Sequence, residues 1–469
     1  MSLPEWITKL KDKNIEVHKR GNNYYAYRIT SVYDPIKKRS KKITKEYLGK
    51  ITPDGIIPPK YKRDLQSVGV LEGGNISLIN HFAQGIRKPL FEIYGTDAES
   101  ILASAIIKLA YGAPIKRFQF HYERSILSHI YPNAHLSKNT VSELLDAVGS
   151  NLHNQRNFFE YLSKSSSYMA VDLTHIFSDS NKMGINELGY NPDHIWNPQI
   201  NLLLIWAIDN HHPAFFKVLP GSINSVSSLI NGIKESGLKN VIVVGDKGFF
   251  SAENIEMLEN SQIHYIIALQ RTLPFLKYPG DSAYKHYFIY RNSLQWWRED
   301  GISGRRVITY KDKAIAAEEE KVFFQKGKEV GVSEQEYRKT RNRFGTLAVI
   351  TDLGESPERI YELYKGRKDI ENAFYALKHG IDCDKTWMQD AIKLRGFFFI
   401  AFISLYLYTR ILDHLSRKGL LSEYSVPDVL SYLSSVHVVE TGGMRFWSDI
   451  PKSCKELIEK LEISITQKL

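Results

Sequence analysis

Val241-Ile242-Val243-Val244-Gly245-Asp246-Lys247-Gly248 is the stretch on which the fold of this 469-residue chain turns. Five apolar or small residues in unbroken succession, closed by an aspartate and a glycine, read as a strand buried on both faces, the kind found in parallel sheets. Upstream, Tyr168–Leu173 is a second apolar run with Asp172 inside it, followed by strand-like runs at Asn201–Asp209 and Phe215–Leu219. A helical stretch is expected from about Asn224 to Ser236. Downstream come a short helix around Ala252–Asn260 and a strand at Tyr265–Leu269.

The order β-β-β-α-β-α-β is that of an α/β, ribonuclease-H-like mixed sheet flanked by helices. Fold alone does not assign function. The acidic residues say more. A carboxylate inside or ending a buried strand is costly to desolvate unless it is paired or binds a cation. Asp172 or Asp246 alone reads most simply as a cap or turn residue. Two such aspartates in adjoining strands of one sheet point to a shared hard divalent cation, which prefers oxygen ligands. His175 and Asp209 stand outside this set.

A third element is the helix expected from about Pro357 to His379, capped by Ser356, with Pro357 in its first turn and Gly380 at its end. At about 100° per residue, Tyr364, Arg367, Glu371 and Lys378 fall within one stripe roughly 60° wide. The stripe borders the apolar positions Leu363, Ile370, Phe374 and Leu377. Gly366, inside the helix, costs about 1 kcal/mol relative to Ala and points to close approach of another element.

The spacing Tyr364-x2-Arg367-x3-Glu371-x6-Lys378 resembles the YREK signature of insertion-sequence family four, a group of DDE transposases. Asp172 in Val171-Asp172-Leu173-Thr174 resembles the first catalytic aspartate of that family, Asp246 in Gly245-Asp246-Lys247-Gly248-Phe249 the second, and Glu371 the glutamate. Pro192-Asp193 through Pro198-Gln199 to Asp209 is similar to the family's stretch between its first and second strands. The resemblance covers roughly residues 168–410.

It implies a site in which Asp172, Asp246 and Glu371 hold two Mg²⁺ (or Mn²⁺) ions. The reaction implied is phosphodiester cleavage at the terminal inverted repeats of an element and strand transfer into target DNA. Tyr364, Arg367 and Lys378 would contact the DNA end, and a homodimer would form in the synaptic complex. The location implied is the prokaryotic cytoplasm, on the nucleoid when DNA is bound. The 125 residues from Asp246 to Glu371 leave room for the insertion such relatives carry, read here as a β-rich subdomain over 271–345. Trp296 or Trp297 in it would engage a flipped base, as in some relatives; core packing is the other reading. A metal-dependent nuclease or resolvase of the same fold and a non-catalytic DNA-binding relative are the alternatives. The YREK stripe argues against the first, and the intact acidic trio against the second.

Charge places the remaining function. The net charge is +10, and residues 1–70 hold 16 Lys or Arg against 7 Asp or Glu, so almost all of the excess lies there. Lys37, Lys38, Arg39, Lys41 and Lys42 form its densest cluster, suited to a polyanion or to a solvated basic face. The organisation expected is a basic β-rich region over 1–70 and a helical, DNA-end-binding domain over 71–165, with capping boxes at Thr96-x-x-Glu99 and Thr140-x-x-Glu143. A catalytic core over 166–270 and 346–412 and a helical C-terminal region over 413–469 complete it. Two cysteines, Cys383 and Cys454, exclude a disulfide framework and a cysteine-rich zinc site. No apolar segment of secretory type follows Met1. The apolar run Gly396–Thr409, bounded by Arg395 and Arg410, is too short to span a bilayer and reads as a buried core helix in a soluble protein with no membrane partner.

Overall fold

A computed structural model describes residues 4–8, 13–21, 23–34, 38–59, 68–166, 168–223, 226–330 and 333–466. The chain forms two compact units, Met1–Val70 with Val439–Phe446, and Leu71–Val438 with Trp447–Leu469.

The larger unit is built on a ten-stranded mixed sheet. Its strands are β1 (Met169–Ser178), β2 (Gln199–Ala207), β3 (His212–Pro220), β4 (Val241–Gly245), β5 (His264–Ala268), β6 (His286–Tyr290), β7 (Ser293–Ile302), β8 (Arg305–Asp312), β9 (Thr346–Thr351) and β10 (Lys385–Thr386). They run β6-β7-β8-β9-β5-β4-β1-β2-β3 across the sheet, with β10 beside β1. β1 pairs in parallel with β4, and β4 with β5; β2 and β3 are antiparallel to their neighbours. All residues of β2 and β4 are buried, which is why these runs carry no polar alternation. The helices Val226–Ser236 and Ala252–Asn260 connect β3 to β4 and β4 to β5.

The stretch 271–345 does not stand apart from this sheet. β6, β7 and β8 continue it as an antiparallel meander joined through β9 to β5. It also holds about as much helix as strand, in Lys313–Val330 and Glu334–Thr340. That corrects the β-rich expectation. Ala, Glu and Lys dominate Lys313-Ala314-Ile315-Ala316-Ala317-Glu318-Glu319-Glu320-Lys321, and all three are strong helix formers.

Helix Ala391–Arg417 runs through the core. It extends beyond the expected apolar run because Arg395 and Arg410 find partners without leaving it. Arg395 Nε donates to the Gly149 carbonyl at 3.1 Å, and Arg410 pairs with Asp413. By length and composition this helix could cross a membrane, yet Phe398, Phe399, Phe402, Ile403 and Leu407 are almost wholly enclosed by protein. Phe402 packs on Phe159 of the helical region and on Phe216 of β3, with ring centroids 5.2 and 5.5 Å apart, so one core serves both. Where it crosses helix Lys138–Ser150, a Cβ on Gly149 would lie 1.9 Å from the Ile392 carbonyl oxygen. One on Gly396 would lie 2.1 Å from that of Leu145. The backbones meet there, which only glycine permits.

Other expectations were altered by tertiary contacts. Thr96 makes no capping bond: its φ of −63° and ψ of −27° are already helical rather than extended, and the Glu99 carboxylate accepts from Asn133 N and Nδ2 at 2.8 and 3.1 Å instead of reaching back. Ser137, rather than Thr140, caps the next helix. The C-terminal region is not all helical: Val426–Ser434 and Lys452–Leu461 bracket strands at His437–Thr441 and Met444–Trp447, turned by Gly442-Gly443.

In the smaller unit, Ile15–Arg20, Asn23–Asp34, Arg39–Thr52 and Gly55–Ile57 form a four-stranded antiparallel sheet in sequence order. Ile7, Ala26 and Ile51 form its small core. The far end of its long hairpin pairs Ser31 with Lys42 and Val32 with Lys41, and its side chains stand in solvent.

Candidate active site

β1 and β4 bring the two aspartates to one face. The parallel register aligns Val171 with Val243, so Asp172 stands level with Val244 and Asp246 one pleat further on. Asp172 Oδ1 accepts from the Leu173 N–H at 2.9 Å. Asp246 closes the turn after β4, its Oδ1 accepting from the N–H groups of Gly248 and Phe249 at 2.9 and 3.2 Å. Each aspartate therefore has one oxygen tied to backbone and the other turned outward.

The third carboxylate arrives on helix Pro357–Tyr375, capped by Ser356 through the Arg359 N–H. Tyr310 of β8 donates its hydroxyl to the Pro357 carbonyl at 2.6 Å, and Arg359 pairs with Asp209 at 2.6 Å. These bonds fix the helix start against β8 and the β2–β3 turn. Gly366 explains itself here: a Cβ would come within 3.0 Å of Ile208 Cγ2, so the helix lies tight on that turn.

The outward oxygens meet at Arg367. Its guanidinium lies 3.0 Å from Glu371 Oε1, 4.0 Å from Asp172 Oδ2 and 4.0 Å from Asp246 Oδ2. Asp172, Asp246, Arg367 and Glu371 are thus gathered as the spacing anticipated, and half-buried Tyr364 borders them. Burial, with Asp246 and Glu371 nearby, pushes the Tyr364 hydroxyl pKa up against the opposing pull of Arg367. Asp172 keeps 29% of its side-chain surface exposed, yet desolvation pushes its pKa up to about 6. Arg367 pulls it down, and Glu371 and Asp246 push it further up. This carboxylate is short of positive charge even with a guanidinium beside it.

Lys378 lies beyond the regular part of the helix. The helix changes to a π turn over Ala376–Gly380, closed by the Ile381 N–H donating to the Ala376 carbonyl at 2.9 Å. A wider turn voids the 100° arithmetic after Tyr375. Lys378 is coupled electrostatically to Asp193, Asp384 and His175; desolvation lowers its pKa, opposed by the two aspartates. His175, set aside in the sequence, is buried and meets Asp193, Nε2 to Oδ2, at 3.0 Å. Its strand position gave no signal of that pairing.

The two tryptophans of the insertion are half-buried and already engaged. Trp297 stacks on His286 with centroids 4.6 Å apart; Trp296 meets Tyr287 at 5.4 Å, with Lys313 Nζ 4.9 Å over its ring. Lys38, Arg39, Lys41 and Lys42 lie exposed on the hairpin of the smaller unit, while Lys37 lies outside the described residues.

Three carboxylates suit a hard divalent cation. Among the described residues, however, no set of three or more His, Cys, Asp or Glu side chains is gathered closely enough to hold a metal. The trio is spaced around the Arg367 guanidinium.

Residues 164–407 match the model of the family described as transposase DDE domain. No curated protein matches the sequence. Among solved structures, the chain is similar to that of a cryo-EM structure of a piggyBac transposase synaptic complex with hairpin DNA. The TM-score is 0.36 and the identity 10%, over 80% of this chain and 81% of that one.

Proposed function

The chain belongs to the transposase DDE domain family, and on that footing we propose that it is a transposase cutting DNA at element ends and joining it to target with Asp172, Asp246 and Glu371. The observation that carries the reading is the convergence of these three carboxylates, from two strands and a helix, on the single Arg367 guanidinium. The sheet order β3-β2-β1-β4-β5, with its parallel β1-β4-β5 trio, is read as ribonuclease-H-like.

The donor set fits Mg²⁺ or Mn²⁺, in the expected number of two, provided Arg367 turns aside. Bound ions would supply Lewis acidity and a water or DNA 3′-hydroxyl of lowered pKa. The rest is the work of this chain's own residues. Arg367, displaced from the carboxylates, is placed to pair bidentately with a DNA phosphate. Tyr364 can offer its neutral hydroxyl to a phosphate oxygen. Lys378, partly desolvated, adds a point charge further along the strand. Lys38, Arg39, Lys41 and Lys42 on a two-stranded ribbon suit phosphate contacts distant from the cut. Two copies of the chain, one per end, are part of the proposal, as is action on prokaryotic DNA in the cytoplasm.

The test is incubation of the purified protein with DNA carrying the inverted repeats that flank its gene. Mg²⁺-dependent nicking followed by joining to target supports the proposal. Nicking without joining makes the protein a nuclease or resolvase, and tight binding without nicking a non-catalytic relative.

A further inference from the structure

Two of the described tryptophans stand in solvent, Trp196 at 81% exposure and Trp387 at 65%. An indole left in water forgoes the burial that stabilises large aromatic side chains, and a free face is a stacking surface. Both lie at the same end of β1. Trp196 sits three residues before Gln199, which pairs with Phe177; Trp387 directly follows Thr386, which pairs with Ser178.

Neither is on a loose loop. Asn191, buried at the base of the first loop, donates from Nδ2 to the Ile195 carbonyl at 2.8 Å and to Gln199 Oε1 at 3.1 Å. Its Oδ1 accepts from the Ile195 N–H at 3.0 Å, so the residue before Trp196 is held at both backbone groups. On the other side, Gln389 Oε1 accepts from Ser180 Oγ at 3.3 Å and from the Asn181 N–H at 3.2 Å, tying the turn after Trp387 to the segment leaving β1. Asp193 and Asp384, each three residues before one of the tryptophans, both act electrostatically on Lys378. Lys385 Nζ is 5.8 Å from the Trp387 ring. Two exposed indoles thus stand on anchored segments at one end of β1, each three residues from an aspartate that acts on Lys378.

We propose that Trp196 and Trp387, exposed at one end of β1, form a base-stacking platform that takes unpaired nucleotides of the DNA substrate. The inference rests on the DNA-cutting reading and adds to it the side chains that grip a splayed strand. Those bases come either from the element end or from the target. Stacking of this kind is worth about 1–3 kcal/mol per base, so loss of both rings weakens binding by roughly tenfold or more.

The probe is a 12-nucleotide single strand with a central 2-aminopurine, beside a fully paired duplex of the same sequence. Wild-type protein should quench 2-aminopurine fluorescence on binding. W196A/W387A should lose the quenching and bind the single strand at least about tenfold more weakly, with duplex binding and thermal melting unchanged. W196F/W387F should restore most of both. If W196A/W387A quenches and binds as wild type does, or if wild type fails to quench, the platform is refuted. The cutting reading is judged separately, by Mg²⁺-dependent nicking of terminal-repeat duplex in the wild type. With that activity present, slower end cleavage in W196A/W387A assigns the platform to the element end, and slower joining alone assigns it to the target strand.

Discussion

Nη2 of Arg367 lies 3.0 Å from Oε1 of Glu371, one helical turn away on the same helix. That ion pair holds the guanidinium where Asp172 and Asp246 also reach it, so one cation balances three anions. On the proposed function, a metal ion would compete with Arg367 for the same charge.

Removing the competitor should therefore tighten metal binding while harming the reaction. For Arg367→Ala without DNA, Mn²⁺ affinity measured by electron paramagnetic resonance is expected to rise about tenfold, which is 1.4 kcal/mol. DNA cleavage should fall. Unchanged or weaker Mn²⁺ binding would show that the arginine does not occupy the cation's place.

Glu371→Gln removes the charge and keeps the shape. Cleavage of terminal-repeat DNA should drop by more than the roughly 10–100-fold typical of residues that only support a metal site. Binding of the same DNA by mobility shift should be nearly unaffected. Retained cleavage would strip Glu371 of its assigned role.

Asp172 gives a pH signature. Its folded pKa is raised to about 6, so between its ordinary carboxylate range and pH 6 the folded state binds more protons than the unfolded one. Its contribution to stability is present at low pH and lost as pH rises through about 6. In EDTA, Asp172→Asn should melt higher than wild type at pH 8, by on the order of 1–3 kcal/mol in stability, and show no such gain at pH 4. Mg²⁺ should raise the wild-type melting temperature at pH 8 more than that of the variant. A gain independent of pH would mean that ionisation of Asp172 is not its cause.

Gly149 and Gly366 are both close-approach glycines, but they should respond differently. Gly149→Ala drives a methyl into a backbone carbonyl that cannot yield. It should cost at least the roughly 1–3 kcal/mol of an overpacked core in chemical denaturation. Gly366→Ala meets only the Cγ2 end of Ile208, and its helix-propensity gain of about 1 kcal/mol offsets most of the crowding. Equal losses at the two positions would contradict the geometry.

The hairpin charges should be read through salt. Replacing Lys38, Arg39, Lys41 and Lys42 with alanine should weaken DNA binding uniformly across sequences. The slope of log K against log salt should fall by up to about 3–4, near 0.9 for each phosphate that a side-chain cation no longer neutralises. A weaker affinity with an unaltered slope would point to unfolding of the hairpin rather than to phosphates left without their cations.

Much of the core was legible because its signals are local. An unbroken apolar run ending in Asp246 needs no tertiary knowledge to be read as a buried strand with a costly carboxylate, and the same holds for Asp172. Helical geometry carried Arg367 and Glu371 to one wall. It does not reach Lys378, because a π turn changes the phase there and leaves no mark in residue type. The Thr96 capping box was legible and still does not form: Thr96 itself is helical, and Asn133, far along the chain, takes the Glu99 carboxylate. Helix Lys313–Val330 and the hairpin around Gly442-Gly443 did have signals, in strong helix formers and in a paired-glycine turn. The pairing of His175 with Asp193 and the exposure of Trp196 depend on how a long loop folds back, which neither spacing nor composition encodes.

β6, β7 and β8 share one hydrogen-bonded ladder with β9 and β5, and that continuity has a cost for anyone trimming the protein. Excising 271–345 would not unplug a module. It would bare the outer border of Thr346–Thr351, a six-residue run whose Leu347, Val349 and Ile350 make it a ready template for sticking to a neighbouring copy. The Tyr310 bond that anchors the start of the Glu371 helix would vanish with it. A shortened chain should thus clump and lose the arrangement of its three carboxylates together.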